Sequence, residues 1–135
     1  MHLLAKFCFL NQYKSDKMFS EESVQFIDLK KENATVDYAL ALVEIAIEGG
    51  KLEGQTVIKV LHGYGSHGRG GVILVELRKQ LERWKRSKFI KDYFGGDRWN
   101  IFDPLTMEIL QKDKTIYGDE DMGKANPGIT IIYIQ

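Results

Sequence analysis

The chain has 135 residues, 44% hydrophobic and 28% charged, with 19 Lys/Arg balancing 19 Asp/Glu. That is the composition of one ordinary globular domain, long enough to bury a core without disulfides or metals. Its lone thiol, Cys8, excludes an internal disulfide framework and fits a reducing compartment.

The zero net charge conceals a segregation. Residues 1–58 carry 6 Lys/Arg against 9 Asp/Glu, residues 59–91 carry 9 against 2, and residues 92–135 carry 4 against 8. A basic middle third can form the positive face that phosphate backbones require, and a solvated helix surface accounts for the charge equally well.

In chain order, the apolar stretch Leu3–Leu10 is broken by Lys6 and lacks a small-residue cleavage pattern. It therefore supports neither a signal peptide nor a membrane span, and the chain reads as cytoplasmic with no membrane partner. Residues 1–20 are a leader or an added edge element, and residues 21–135 are the domain. "VQFIDLK" (Val24–Lys30) is short, β-branched and aromatic, so it predicts a strand. Asn33 or Thr35 then caps a helix with Val36, Leu40, Val43 and Ile47 on one face, ended by Gly49-Gly50.

"TVIKVL" (Thr56–Leu61) is nearly all apolar, which suits a buried, parallel strand. After a glycine loop, Leu74, Leu77, Leu81 and Trp84 line one face of a second helix, leaving Arg78, Lys79, Arg83, Lys85 and Arg86 largely off it. "FIKDYF" (Phe89–Phe94) is a third strand, and Asp103-Pro104 opens a short helix with an N-cap aspartate and a first-turn proline. The acidic stretch "YGDEDMGKANPG" forms a loop, and "ITIIYI" (Ile129–Ile134) closes the chain as a central strand. The predicted class is α/β, a two-layer sandwich in which helices pack on a mixed, mostly parallel sheet.

The glycine loop carries most of the functional signal. It leaves the carboxyl end of a strand and enters the amino end of a helix, where open α/β sheets place their ligands. Free backbone N–H groups and the helix dipole favour anions there. Glycines 63, 65, 68, 70 and 71 let backbone approach a phosphate, and Arg69 can add a charge-assisted bond. Connectors in α/β units usually run about 2–6 residues, and this loop is longer. It contains a literal GxGxxG (Gly63–Gly68), yet the chain is short for two βαβ halves and the nearest strand acid, Asp92, sits among basic residues. A nucleotide-cofactor enzyme is accordingly the weakest of three readings.

"IKVLHGYGSHGRGGVILVEL" resembles the second-strand motif of the small MutS-related (Smr) domain, in which a hydrophobic strand ends in HGxG before a glycine-containing loop and a helix. "FIDLKKENATVDYALALVEIAIEGG" is similar to that family's first strand and helix, and "NPGITIIYI" to its closing G-[VI]-T strand. The resemblance spans Phe26 to Ile134, with an elaborate segment between Phe94 and Gly128. It implies a two-layer α/β module that binds DNA or RNA, with the ribosome as a further partner, and several Smr domains are endonucleases.

Carried over by position, His62, Gly63 and Gly65 match HGxG, with Tyr64, Ser66, His67 and Arg69 beside them and Arg78 on the helix. "IDLKK" departs from the family's LDLHG: Asp28 is kept, but Lys30 and Lys31 stand where histidine and glycine are usual. A lysine holds phosphate rather than exchanging protons near neutrality, so both a nuclease and a non-cutting binding module follow from the resemblance.

Each candidate has a plainer alternative. Asp28 is a catalytic carboxylate or metal ligand, or a cap on a neighbouring turn. His62 is a catalytic or phosphate-orienting group, or a ring that fixes the loop by bonding backbone. Asp119, Glu120 and Asp121 form a solvated acidic loop or a site for a divalent cation; cleavage would call on Mg or Mn. Tyr64 and Trp99 offer rings for stacking on unpaired bases, and Trp84, at core spacing, packs inside. The oligomeric state has no signature in the sequence.

Overall fold

The computed structural model describes residues 24–30, 35–63 and 69–135, with backbone alone at 69 and 70. Among the described residues, four strands, β1 (Gln25–Asp28), β2 (Val57–Leu61), β3 (Asp92–Gly95) and β4 (Ile129–Tyr133), form one sheet in the order β1-β2-β4-β3. Helices α1 (Val36–Leu52), α2 (Arg69–Arg86) and α3 (Pro104–Lys112) complete the α/β fold.

β1 and β2 pair in parallel, whereas β4 pairs antiparallel with both β2 and β3. Three strands thus point one way, but only one of the three pairings is parallel, so "mostly parallel" holds for direction and not for pairing. The reason lies between β3 and β4. A Cβ on Gly96 would meet the Asn126 carbonyl at 2.0 Å and Ile129 at 2.5 Å. The excursion that leaves β3 therefore returns to the same end of the sheet, and β4 must run back. One parallel βαβ unit is also half of what a dinucleotide fold needs.

Thr35 caps α1, its hydroxyl accepting from the Tyr38 N–H. Gly49-Gly50 does not end the helix, which continues to Leu52 and closes at Glu53 before Gly54, where φ is +74°. Gly50 is there for proximity: a Cβ would lie 2.9 Å from Cδ1 of Ile134. The third strand is shorter than expected, because Phe89 and Ile90 belong to the turn after α2. Asp103 caps α3 through Leu105 and Thr106, with Pro104 at the first position, as the sequence predicts.

Strand alternation divides the interior into two. Ile27, Ile58, Val60 and Ile132 face α1 and α2, meeting Val43, Ile47, Leu77 and Leu81. Val57, Ile129, Ile131 and Phe94 face the other way, covered by Trp99, Ile109 and Ile116 of the 96–128 excursion. Trp84 is half-buried at the margin of the first core, edge-on to Phe89. All five residues of β4 are buried, which fits its central place.

Candidate functional site

The carboxyl ends of β1 and β2 meet the amino end of β4. Asp28 is in register with Leu61, and the Leu29 N–H donates to the Leu61 carbonyl at 2.9 Å. Just beyond, the N–H groups of His62 and Gly63 both donate to the Gly128 carbonyl, at 3.0 and 3.1 Å. Gly63 has φ +78°, the left-handed region that glycine enters without steric cost. A Cβ there would also press on the Lys30 stem, 3.2 Å from its Cδ, and one on Gly128 would lie 3.5 Å from the Gly63 Cα. Two glycines thus bring two backbones together beneath one lysine.

His62 is 4% exposed and bonded at both nitrogens. Nδ1 lies 2.7 Å from the Gly63 carbonyl, which only accepts, so Nδ1 carries the proton. Nε2 lies 2.8 Å from Thr130 Oγ1, whose hydroxyl donates to it in the neutral ring. Burial holds the ring below its ordinary pKa of 6.5, the Gly63 carbonyl opposing and the Arg78 guanidinium adding to the depression. The histidine of HGxG is therefore joined to the threonine of the closing G-I-T segment.

Asp28 accepts the Lys30 N–H on Oδ1 at 2.9 Å, the bond of a strand-end turn. Lys30 is exposed with its stem across Gly63, and Arg78 is exposed on α2. The fold therefore gathers Asp28, Lys30, His62 and Gly63 at one end of the sheet and sets Arg78 close enough to act on His62. Lys31, Tyr64, Gly65, Ser66 and His67 lie outside the described residues, and Arg69 opens α2, where only its backbone is described.

Two expectations are corrected on the opposite face. Trp99 is wholly buried, its Nε1–H donating to Asp119 Oδ2 at 3.0 Å, so it has no ring to offer a base. The acidic loop is not simply solvated: Lys59 of β2, 2% exposed, reaches Asp119 at 2.9 Å and Asp121 at 2.6 Å. Burial alone would lower the Lys59 pKa, but its bonds to Asp121 and Asp119 outweigh that and raise it above 10.5. Burial would likewise raise Asp121, and Lys59 and Asn126 instead hold it below 3.8. An ammonium thus sits where the sequence suggested a metal cation. A signal for it existed: a charge inside an otherwise apolar strand is buried only when paired.

Among the described residues, no group of three or more His, Cys, Asp or Glu is arranged to hold a metal ion, and no helix is long and apolar enough to cross a membrane. No family model, curated protein or solved structure gives a significant match to this chain. The likeness to Smr domains rests on the residues themselves.

Proposed function

We propose that this protein binds DNA or RNA at the end of the sheet where Lys30, Gly63 and Gly128 meet, gripping the sugar-phosphate backbone without cutting it. The observation that carries this reading is the bond between His62 and Thr130, 68 residues apart. It joins two segments that resemble Smr motifs, just before the glycine-rich stretch of sequence that precedes α2. Beside that bond, Lys30 supplies a cation whose stem packs on Gly63, and Arg78 supplies another on α2.

Binding is favoured over cleavage by what the candidate catalytic groups already do. His62 is kept neutral with both nitrogens bonded, and Asp28 closes a turn. The second reading, a Mg- or Mn-dependent endonuclease, draws on Asp28 and His62 ending adjacent strands.

The test is a salt-titrated anisotropy assay on single-stranded and duplex DNA and RNA. Affinity should fall with salt with a log–log slope of about −0.7 to −0.9 per phosphate contact, and Lys30→Ala and Arg78→Ala should each reduce that slope by about 1. Salt-insensitive or absent binding to all four probes rejects the proposal. Nicking of labelled strands with Mg or Mn would favour the nuclease, and thermal stabilisation by nicotinamide dinucleotides the cofactor enzyme.

A further inference from the structure

The 96–128 excursion does more than cover one face of the sheet, because a run of polar contacts links its buried ion pair to the candidate site. Lys59 Nζ donates to Asp121 Oδ2 at 2.6 Å, and the other oxygen of that carboxylate accepts from Asn126 Nδ2 at 3.2 Å. Asn126 Oδ1 in turn accepts the Gly128 N–H at 2.9 Å. The Gly128 carbonyl then receives the N–H groups of both His62 and Gly63. A lysine in the middle of β2 is thus connected, through the excursion, to the two residues that follow the strand.

Asn126 is the exacting member of this run. A carboxylate only accepts and a backbone N–H only donates, so the side chain between them must donate to one and accept from the other. A primary amide does both, and its two partners fix which end is which. The backbone is equally constrained. The Asn126 carbonyl packs so closely on Gly96 that a Cβ there would fall 2.0 Å from it. Ala125, one residue earlier, has φ +52°, a left-handed conformation that alanine rarely adopts. Such strain persists only where the surroundings over-determine it, and it collects at ligand sites. A Cβ on Gly128 would meet Asn126 Oδ1 at 3.1 Å and the Gly63 Cα at 3.5 Å, so the glycine fits closely between the amide and the site.

We propose that Asn126 is a positioning residue for the site at His62 and Gly63, and that the excursion braces this site from the ionic cluster at Lys59. Fixing the Gly128 carbonyl fixes the two N–H groups bonded to it, and with them the Gly63 backbone against which the Lys30 stem packs. A preorganised site binds more tightly because less freedom is lost when the ligand arrives. The consequence for binding rests on the nucleic-acid reading, and the consequence for the backbone does not.

The experiment pairs amide hydrogen exchange with the salt-titrated anisotropy assay. In Asn126→Ala, exchange at the His62 and Gly63 N–H groups should quicken about tenfold, while amides inside α1 such as those of Val43 and Ile47 keep the wild-type rate. Affinity for the tightest-bound probe should fall about three- to tenfold with the log–log salt slope unchanged, since no phosphate contact is lost. Lys30→Ala, by contrast, should lower the slope. Asn126→Asp sets two carboxylates face to face and should also weaken binding. Adding Asp121→Asn to it should restore affinity to within about twofold of wild type, because the exchanged pair again sets a donor against an acceptor. Unchanged exchange at His62 and Gly63 in Asn126→Ala overturns the proposal. Faster exchange throughout α1, or a double variant no better than Asn126→Asp, overturns it in favour of a merely structural role. Loosened amides with unchanged affinity, while Lys30→Ala weakens binding, overturn the brace and leave the nucleic-acid reading standing. No binding by the wild type overturns that reading, and with it the role assigned to Asn126.

Discussion

The two faces of the sheet solve the same burial problem with different chemistry. Under α1 and α2, strand residues such as Ile58 and Val60 pack into a cluster of buried hydrocarbon. On the other face, the same strand presents Lys59, held by Asp119 and Asp121 while Asp119 also takes the Trp99 indole. Hydrocarbon burial is non-directional and tolerates many arrangements. The ionic cluster tolerates few, because each charge taken from water must find its partner. What the contrast teaches is that Lys59 dictates where the 96–128 excursion docks, a decision that apolar contact alone would leave looser.

The hardest blow to that contrast is Lys59→Met. It keeps the volume but strands the buried Asp119, and we expect a loss of about 3–5 kcal/mol in urea denaturation. A loss under about 1 kcal/mol would show that the acids simply turn out to water. Next is Gly96→Ala, whose Cβ would fall 2.0 Å from the Asn126 carbonyl. Backbone cannot yield there as a side-chain tip can, so about 3 kcal/mol is expected. Thr130→Val on the helix-covered face leaves a His62 nitrogen unpaired, at about 1–3 kcal/mol in the same measurement. Smallest is Gly50→Ala, since only the ends of Ile134 and Gln55 must shift and alanine favours a helix interior. Its effect should lie within about 1 kcal/mol of zero.

Acidity separates the faces in another way. Asp121 has a folded pKa below its unfolded 3.8, so its contribution is present above that value and is lost as pH falls through the folded one. Lys59 is raised above 10.5, so its contribution is complete below 10.5 and fades only as pH rises beyond it. His62 is depressed below 6.5, so folding with the ring neutral is fully favoured above 6.5 and is penalised as pH falls beneath it. Chemical denaturation against pH should therefore show a first decline from about 6.5 and a steeper one below about 3.8. The first should vanish in His62→Gln, and the second should weaken in Lys59→Met; a profile shared by all three proteins would deny both assignments.

Legibility followed the range of the interaction. The Thr35 cap, the Asp103-Pro104 opening and the apolar spacing of Leu77 and Leu81 are local, and each appears in the structure. The sequence offers Trp99 as a stacking ring because nothing near it in the chain names its partner, Asp119, 20 residues on. Gly49-Gly50 reads as a helix end for the same reason: the neighbour that Gly50 accommodates is Ile134. At the candidate site, His62 and Gly63 could be singled out from sequence, whereas the approach of Lys30 to Gly63 and of Thr130 to His62 could not.

Period and capping alone settled that this chain alternates strands with helices, buries a final apolar strand and sets a glycine-rich segment ahead of a basic helix. Those are properties of neighbours within a few bonds or turns. Only tertiary structure reversed β4, seated a lysine among the acids and placed His62 and Gly63 against the closing strand. The physical reason is that solvent is excluded by the whole assembly, so a polar group's partner depends on which distant segment is driven against it.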